Sequence, residues 1–239
     1  MAYQSVFRRY ELKYLLTAAQ KAAVLAAMEP YMAPDQYGRT TIRNIYFDTD
    51  SYRLIRRSIE KPAYKEKLRV RSYRKAGENS KVFVELKKKY DGVVYKRRIE
   101  LPLQEAMSWL CGKAAAPCDT QISREIDYFL SFYKPLRPTV FLSYEREAFY
   151  ARDGSDFRVT FDDNVLSRSH GLSLQEDPSG TPLLPEGKVL MELKCSGGIP
   201  LWMVKALSAQ RIYKTSFSKY GTAYQNTIFP CKKEEQIHA

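Results

Sequence analysis

The run Lys67-Leu68-Arg69-Val70-Arg71 alternates cations with aliphatic residues. The same habit returns in Val82-Phe83-Val84-Glu85-Leu86-Lys87 and in Val189-Leu190-Met191-Glu192-Leu193-Lys194. Successive side chains of a strand point to opposite faces. Each run therefore has an apolar face that needs a core and a second face carrying Arg, Lys and an isolated Glu. Several such faces brought together make a cationic surface with a few carboxylates in it. That is the chemistry needed to hold a phosphate chain together with a divalent metal.

The pattern extends over seven strand-like segments. Glu11 shares a face with Lys13, Lys67 with Arg69 and Arg71, and Glu85 with Lys87. Lys96 likewise pairs with Arg98, Tyr144 with Arg146, and Glu192 with Lys194. Arg158 lies on the polar face of its segment, opposite Phe157, Val159 and Phe161. For any one strand a solvated outer face explains the charges well enough. Over seven strands, however, Arg and Lys dominate where a solvated face would mix in Thr, Ser and Gln. If helices cover the apolar faces, the charged faces point into the interior of a barrel. Such an interior repels itself unless it holds an anion, and Arg forks and Lys point charges both suit phosphoryl oxygens. A Glu there repels a phosphate unless a divalent cation lies between them. Mg²⁺ or Mn²⁺ is typically held by one or two carboxylates plus substrate phosphates. Glu192 is the first candidate ligand, followed by Glu85 and Glu11. Internal salt bridges, such as Glu85 to Arg69 or Arg71, remain the alternative.

The elements that must position these residues are legible from pattern. A strand is expected over Phe7 to Leu16. Thr17-Ala18-Ala19-Gln20 is a capping box opening an Ala-rich helix that ends near Pro30. Gly38 to Asp48 reads as a strand and Ser51 to Ile59 as a short helix. Ala63 to Arg74, Lys81 to Tyr90 and Val93 to Leu101 form a meander with a hairpin turn at Asp91-Gly92. Helices follow from Pro102 to about Cys111 and through Ile122, Ile126, Phe129, Leu130 and Tyr133, the second stopping at Pro135. Two strands, Thr139 to Tyr150 and Asp156 to Leu166, precede a long polar loop from Ser167 to Gly187, a length usually functional or mobile. Lys188 to Cys195 is the last strand and Pro200 to Ala209 the last helix. The fold class is α+β: eight mostly antiparallel strands, a natural number for a closed barrel, with helices outside.

The chain has 239 residues, a formal net charge of +12 and two histidines, His170 and His238. One domain over residues 1–230 with a polar tail at 231–239 suits this length. No run of about 18 apolar residues exists, so no transmembrane helix is expected. The opening MAYQSVFRRYELKYLL carries charges inside its apolar stretch, so no signal peptide is expected and a cytoplasmic location follows. Cys111, Cys118, Cys195 and Cys231 show no C-x-x-C pair and read as reduced thiols. The phosphate-binding glycine loops, the serine-hydrolase elbow and the H-E-x-x-H motif are all absent. Histidine acid-base catalysis is not expected. Phosphoryl transfer, which depends mainly on positioning and charge, is compatible with the residues present.

The stretches RRYELKYLL, KLRVRSY, VFVELKKK, VVYKRR, LSYERE, DFRVTFDDNV, VLMELKC and FSKYG resemble, in order and over nearly the whole chain, the VTC or polyphosphate polymerase domain. This family belongs to the triphosphate tunnel metalloenzymes, which also include the CYTH-type triphosphatases. The resemblance implies an eight-stranded antiparallel tunnel. In it the γ-phosphate of ATP passes to a polyphosphate chain with a metal, usually Mn²⁺. It implies phosphate contacts from Lys13, Arg69, Arg71, Lys87, Lys96, Arg146, Arg158 and Lys219, hydrogen bonds from Tyr144 and Ser218, and a metal at Glu192. Lys67 and Lys194, from the alternation, join the substrate-binding set. Two departures stand out. Arg9 replaces the first Glu of the CYTH-type Glu-x-Glu-x-Lys start, which favours the polymerase branch. Ser216 stands where a lysine is expected, with Lys214 as its possible substitute. The competing expectations are a triphosphatase of the same fold and a polyphosphate or inositol-polyphosphate receptor without turnover. Nucleic acid is not an expected partner, because the cations alternate within strands rather than forming an accessible stripe. Any membrane coupling calls for a separate partner.

Overall fold

The computed structural model describes residues 6–7, 10–91 and 93–230. The expectations placed on Arg9, Gly92, Cys231, His238 and the tail 231–239 lie outside them. Strand β1 (Val6–Phe7) precedes β2 (Tyr10–Thr17). Thr17 then caps helix α1 (Ala18–Met28). Its hydroxyl accepts from the Gln20 amide at 3.2 Å while the Gln20 side chain accepts from the Thr17 amide at 2.9 Å, completing the expected capping box. Next come β3 (Met32–Pro34), β4 (Thr40–Asp48) and α2 (Arg53–Ile59). The meander follows as β5 (Tyr64–Ser72), β6 (Lys81–Tyr90) and β7 (Val93–Pro102). Helices α3 (Leu103–Leu110) and α4 (Gln121–Phe132) separate it from the long strands β8 (Arg137–Ala151) and β9 (Arg158–Arg168). After β10 (Thr181–Pro182) come β11 (Lys188–Cys195), α5 (Leu201–Ala209), β12 (Lys214–Thr215), α6 (Lys219–Ala223) and a π-helical turn, Tyr224–Ile228.

The strand order is β1-β7-β6-β5-β4-β8-β9-β11-β2-β12, with every pairing antiparallel. The eight long strands from β7 round to β2 form the expected tunnel wall. Among the described residues no ladder joins β7 to β2, so the hydrogen-bonded wall is open along that seam. Two features span it. β1 pairs with β7 while β2 pairs with β11, and Lys87 Nζ on β6 donates to Glu11 Oε2 on β2 at 2.9 Å.

Alternation decides which face goes where. The outer faces of β4 to β7 bury Ile45, Phe47, Leu68, Val70, Val82, Val84 and Leu86 against Trp109 and Leu110 of α3 and Ile126 and Phe129 of α4. On the far side, Tyr14, Leu16, Val159, Phe161, Met191 and Leu193 pack on α1 and α5 through Val24, Met28, Met203 and Leu207. Burying one such side chain is worth about 1.5–3 kcal/mol. The covering helices therefore hold the charged faces of these strands inward. The C-terminal elements behave differently. Tyr220, Ala223, Tyr224 and Ile228 pack on Ile42, Tyr46, Val140, Leu142 and Tyr144. Tyr46 and Tyr144 also line the cavity, so α6 and the π-helical turn enter the barrel from one end instead of covering it.

The loop after β9 is pinned to the outer wall. The Arg168 guanidinium lies 3.9 Å over the Phe141 ring and donates to the carbonyls of Gly171 (3.0 Å) and Ser179 (3.1 Å). Gly180 has φ of 140°, and a Cβ there would stand 2.2 Å from the Ser167 carbonyl oxygen. Only glycine lets β10 meet β9 at that point. No residue of the 167–187 loop lines the cavity described next.

Candidate functional site

The inward faces enclose a cavity of about 1790 Å³. Sixteen lysines and arginines line it, against Glu11, Glu100 and Glu192. The inequality needs an anion to relieve it. Strand register sets the pattern: directly opposite side chains stand about 4.5–5.5 Å apart. Lys67 of β5, Lys87 of β6 and Lys96 of β7 lie opposite one another in a row of three like charges. Like charges so placed destabilise a sheet. Two residues along, the next inward row is Arg69, Glu85 and Arg98.

Glu85 is 1% exposed and sits at the centre of that second row. Its Oε2 accepts from Arg69 Nε at 2.8 Å, and its Oε1 accepts from Arg98 Nε at 2.8 Å. Lys96 Nζ stands 2.7 Å away and Arg71 Nε 3.8 Å away. Burial would raise its carboxyl, but Arg71, Arg69, Lys96 and Arg98 outweigh burial and hold it well below the ordinary carboxylate range. The salt-bridge alternative describes Glu85. It fastens the cations and has no lone pair left to offer a metal.

On the opposite wall, Arg146 of β8 grips Asp162 of β9 with two parallel bonds of 2.6 and 2.7 Å, and Lys219 Nζ donates to the same carboxylate at 2.5 Å. Asp162 is fully buried, and these two cations overcome burial to keep it ionised. Asp162 was not among the residues singled out in the sequence. The signal was its place in DFRVTFDDNV, two positions from Thr160 on the inward face of the strand that carries Arg158. Arg158 itself lines the cavity from the exposed start of β9.

Glu192 of β11 lies across from Lys13 of β2. Four cations surround it: Lys194 at 3.3 Å, Lys13 and Lys219 at 3.5 Å and Arg146 at 3.8 Å. None of these is a close hydrogen bond, unlike the contacts of Glu85 and Asp162. Two of the four are otherwise engaged: Lys13 Nζ donates to the Phe217 carbonyl at 2.7 Å and Lys219 Nζ to Asp162. Burial is outweighed by Lys219, Lys13, Lys194 and Arg146, so the carboxyl stays ionised. An ionised oxygen donor facing the cavity without tight partners fits a hard divalent cation completed by phosphates. Glu11 fits less well, because Lys87 already holds it at 2.9 Å. Its carboxyl falls to about 2 as Lys87 and Lys194 overcome burial. Glu11, Glu85 and Glu192 do not converge: among the described residues no group of three metal-ligating side chains exists.

The remaining expected residues line the same space. Tyr144 accepts from Arg71 at 2.9 Å. Burial would raise its phenol, but Arg71, Arg146 and Lys219 bring it down to about 8. Ser218 is the N-cap of α6, accepting from the Gly221 amide, and Lys67 Nζ donates to it at 3.2 Å. Burial, and then Lys13 and Lys87, hold the Lys67 ammonium down at about 7. Ser216 lines the cavity where the resemblance implies a lysine, and Lys214 lines it beside Ser216.

A family model described as the VTC domain matches residues 8–228. No relative among the curated proteins matches the chain. Among solved structures, a Bacillus halodurans protein provisionally assigned as an adenylate cyclase superposes with a TM-score of 0.55 at 16% identity, covering 90% of this chain and 96% of its own. A Hippeastrum protein, provisionally an adenylyl cyclase and described as having a dominant triphosphatase activity, gives a TM-score of 0.51 at 16% identity, covering 91% and 95%. These likenesses show the tunnel fold. No helix among the described residues is long and apolar enough to cross a membrane.

Proposed function

The chain belongs to the VTC domain family, and from that premise we propose that it is a metal-dependent polyphosphate polymerase. It transfers the γ-phosphoryl group of ATP to a polyphosphate chain held in the tunnel. A terminal phosphate oxygen of the chain bonds to the γ-phosphorus. The bond from that phosphorus to the β–γ bridging oxygen breaks, and ADP leaves with the electron pair. The chain gains one phosphate.

The observation that carries the reading is the pairing of the carboxylates. Glu85, Asp162 and Glu11 are each held by short cationic bonds, and Glu192 is kept ionised far below neutrality. None is tuned to take a proton near neutral pH, which water would require of a base. A phosphate oxygen is already anionic and needs no base. What it needs is relief from anion–anion repulsion. Lys13, Arg69, Arg71, Lys87, Lys96, Arg146, Arg158 and Lys219 would supply that to the two phosphate groups, with Tyr144, Ser218, Lys67 and Lys194 orienting them. A divalent cation at Glu192, Mn²⁺ or Mg²⁺, would add Lewis-acid charge on phosphoryl oxygens. Cytoplasmic placement, with a separate membrane partner for any export, belongs to the same proposal.

Purified protein given ATP and Mn²⁺ should accumulate long, acid-labile polyphosphate. Glu192→Ala should lower turnover on the order of 10²-fold or more, the scale of one preorganised charge in a dry site, while tripolyphosphate still binds. If ATP yields only ADP and free phosphate, or free triphosphate is cleaved in preference, the triphosphatase reading replaces this one. If neither occurs and Glu192→Ala changes nothing but affinity, the protein is a receptor.

A further inference from the structure

On the outside of the barrel, the cations around α4 have partners. Arg97 and Lys88 face Glu125 at 3.1 and 3.7 Å, Arg124 pairs with Asp119, and Arg137 pairs with Asp50. The outer side of α2 is different. Arg53, Arg56 and Arg57 recur at i, i+3 and i+4, so they share one side of the helix, and all three are exposed. Lys134, directly after the C-cap Tyr133 of α4, is exposed as well. Among the described residues no carboxylate stands within 4.0 Å of any of these four cations. Two acids of the same region are taken up by other donors. Glu66 accepts from the hydroxyls of Tyr64 at 2.5 Å and Tyr133 at 2.8 Å, and Asp127 from the Trp109 indole at 2.7 Å. Aromatic rings continue the face. On α4, Tyr128 is 70% and Phe132 56% exposed, and the two rings stack with centroids 6.1 Å apart. Phe132 meets the buried Tyr133 edge-on at 4.8 Å, and the Arg53 guanidinium lies 5.5 Å over the Tyr133 ring. Arg57 stands close enough to the Tyr133 and Tyr64 hydroxyls to favour their ionised forms. The ring pair and the arginines of α2 are thus one continuous surface.

A stacked ring pair four residues apart stabilises a helix by itself, but it leaves the unmatched cations beside it unexplained. A second copy of this chain does not match them, because it brings the same four cations and a net charge of +12. Arg53 fills the space over Tyr133, so the surface offers no slot there for a partner's side chain. A flat anionic surface satisfies all of these conditions. Lipid phosphates accept guanidinium forks, and rings of this kind favour the headgroup region. We propose that the face built from α2 and the C-terminal end of α4 docks on an anionic lipid bilayer. Tyr128 and Phe132 enter the headgroup boundary while Arg53, Arg56, Arg57 and Lys134 contact lipid phosphates. The docking requires neither turnover in the tunnel nor the polymerase reading.

The test is co-sedimentation of the full chain with vesicles of phosphatidylcholine alone and of an equal mixture with phosphatidylglycerol. One equivalent of tripolyphosphate is present, so that the charge of the tunnel is already matched. The parent should bind the mixed vesicles on the order of 10²-fold more tightly than the neutral ones, since each cation near an anionic surface contributes about fivefold. Arg56→Gln with Arg57→Gln, which leaves Arg53 seated on Tyr133, should lower that affinity about 25-fold. Lys205→Gln with Arg211→Gln removes the same charge from exposed positions in and after α5, on the other wall. Screening over that distance should hold its effect below about threefold. Phe132→Trp should shift its emission to the blue on mixed vesicles and not on neutral ones, which reports entry of the ring. Equal binding to both vesicles, an equal loss in the two double variants, or an unshifted emission overturns the proposal. Retention on neither vesicle also overturns it and leaves an acidic protein as the partner of this face. Failure to make polyphosphate from ATP would sink the polymerase reading and leave the docking standing.

Discussion

Glu85 neutralises cations that otherwise face one another across β5, β6 and β7, with Arg69, Arg98 and Lys96 all within 2.8 Å of it. Glu85→Gln keeps the shape and removes the charge. Breaking a buried pair in this way costs about 3–5 kcal/mol, and because its partners are partly solvated the low end of that range is expected. An added polyanion supplies the missing charge, so tripolyphosphate should raise the melting temperature more in the variant than in the parent. Equal shifts in a thermal melt would sink this account. Lys67 gives a second residue-scale expectation. With its ammonium held at about 7 instead of the ordinary 10.5, it is largely neutral at pH 8. A bound polyanion favours the charged form. Tripolyphosphate binding at that pH should therefore take up protons, seen as a heat that varies with the buffer's ionisation enthalpy; Lys67→Gln should reduce that component and leave the part due to Lys96, whose ammonium burial, then Arg98, Arg69 and Arg71, likewise bring down to about 7. The same shift acts on folding. From about 7 up to 10.5 the unfolded lysine holds a proton that the folded one has lost, so this residue's contribution to stability rises with pH over that window.

At the scale of elements, α6 links the site to the fold. The Tyr220 hydroxyl donates to Asp48 at 2.9 Å, and Asp48 also accepts from the amides of Leu54 and Ile55 at 2.9 and 3.0 Å, fastening α6 to the start of α2. Ser218 and Lys219, at the start of α6, are thereby carried against Lys67 and Asp162. Tyr220→Phe should cost about 1–2 kcal/mol, the usual net loss for a buried hydrogen bond. It should also weaken tripolyphosphate binding, since Lys219 loses its fixed base. A denaturant melt and a titration on the same sample check both, and unaltered binding would mean that α6 is held by packing alone. Pattern found the long elements here and missed the short ones. β3 is three residues ending in proline, too short for alternation to register. The polar, glycine-containing Lys219–Ala223 lacks a helical stripe, because its contacts are with strand faces inside the barrel. The 167–187 loop, expected to be functional or mobile by its length, is instead anchored by Arg168 to the outer wall, and only contacts across the sheet make that visible.

At the scale of the molecule, the net charge of +12 is concentrated in one interior instead of being spread over the surface. Folding without a ligand therefore works against self-repulsion, and the open seam between β7 and β2 lies beside the Lys67–Lys87–Lys96 row. Tripolyphosphate at about 100 times its dissociation constant should stabilise the protein by ~2.7 kcal/mol, which for a domain of this size raises the melting temperature by roughly 5–10 °C. That shift should shrink as salt rises, because the interaction is between charges. A shift independent of salt would mean that the ligand sits outside the cationic interior.

The alternation of charged and apolar residues was by itself enough to determine that each strand has one face for a core and one for an anion. Apolar helices that need strand surface to pack on also oriented those faces, so Arg69, Arg71, Lys87 and Glu192 were legible as interior residues. The sequence reading ranks Glu192 ahead of Glu85, but the reason Glu192 is the less tightly held of the two was not legible. Glu85 and Glu192 have the same local pattern, apolar neighbours and a lysine two residues on. Only the tertiary structure separates them, because availability depends on partners from other strands. Register places Arg69 and Arg98 within hydrogen-bonding reach of Glu85, whereas the cations around Glu192 come from β2, β8, β11 and α6 and stop at 3.3 Å or beyond. A sequence specifies the face on which a charge lies. Its strength as a ligand is set by distances of a few tenths of an ångström between strands far apart in the chain.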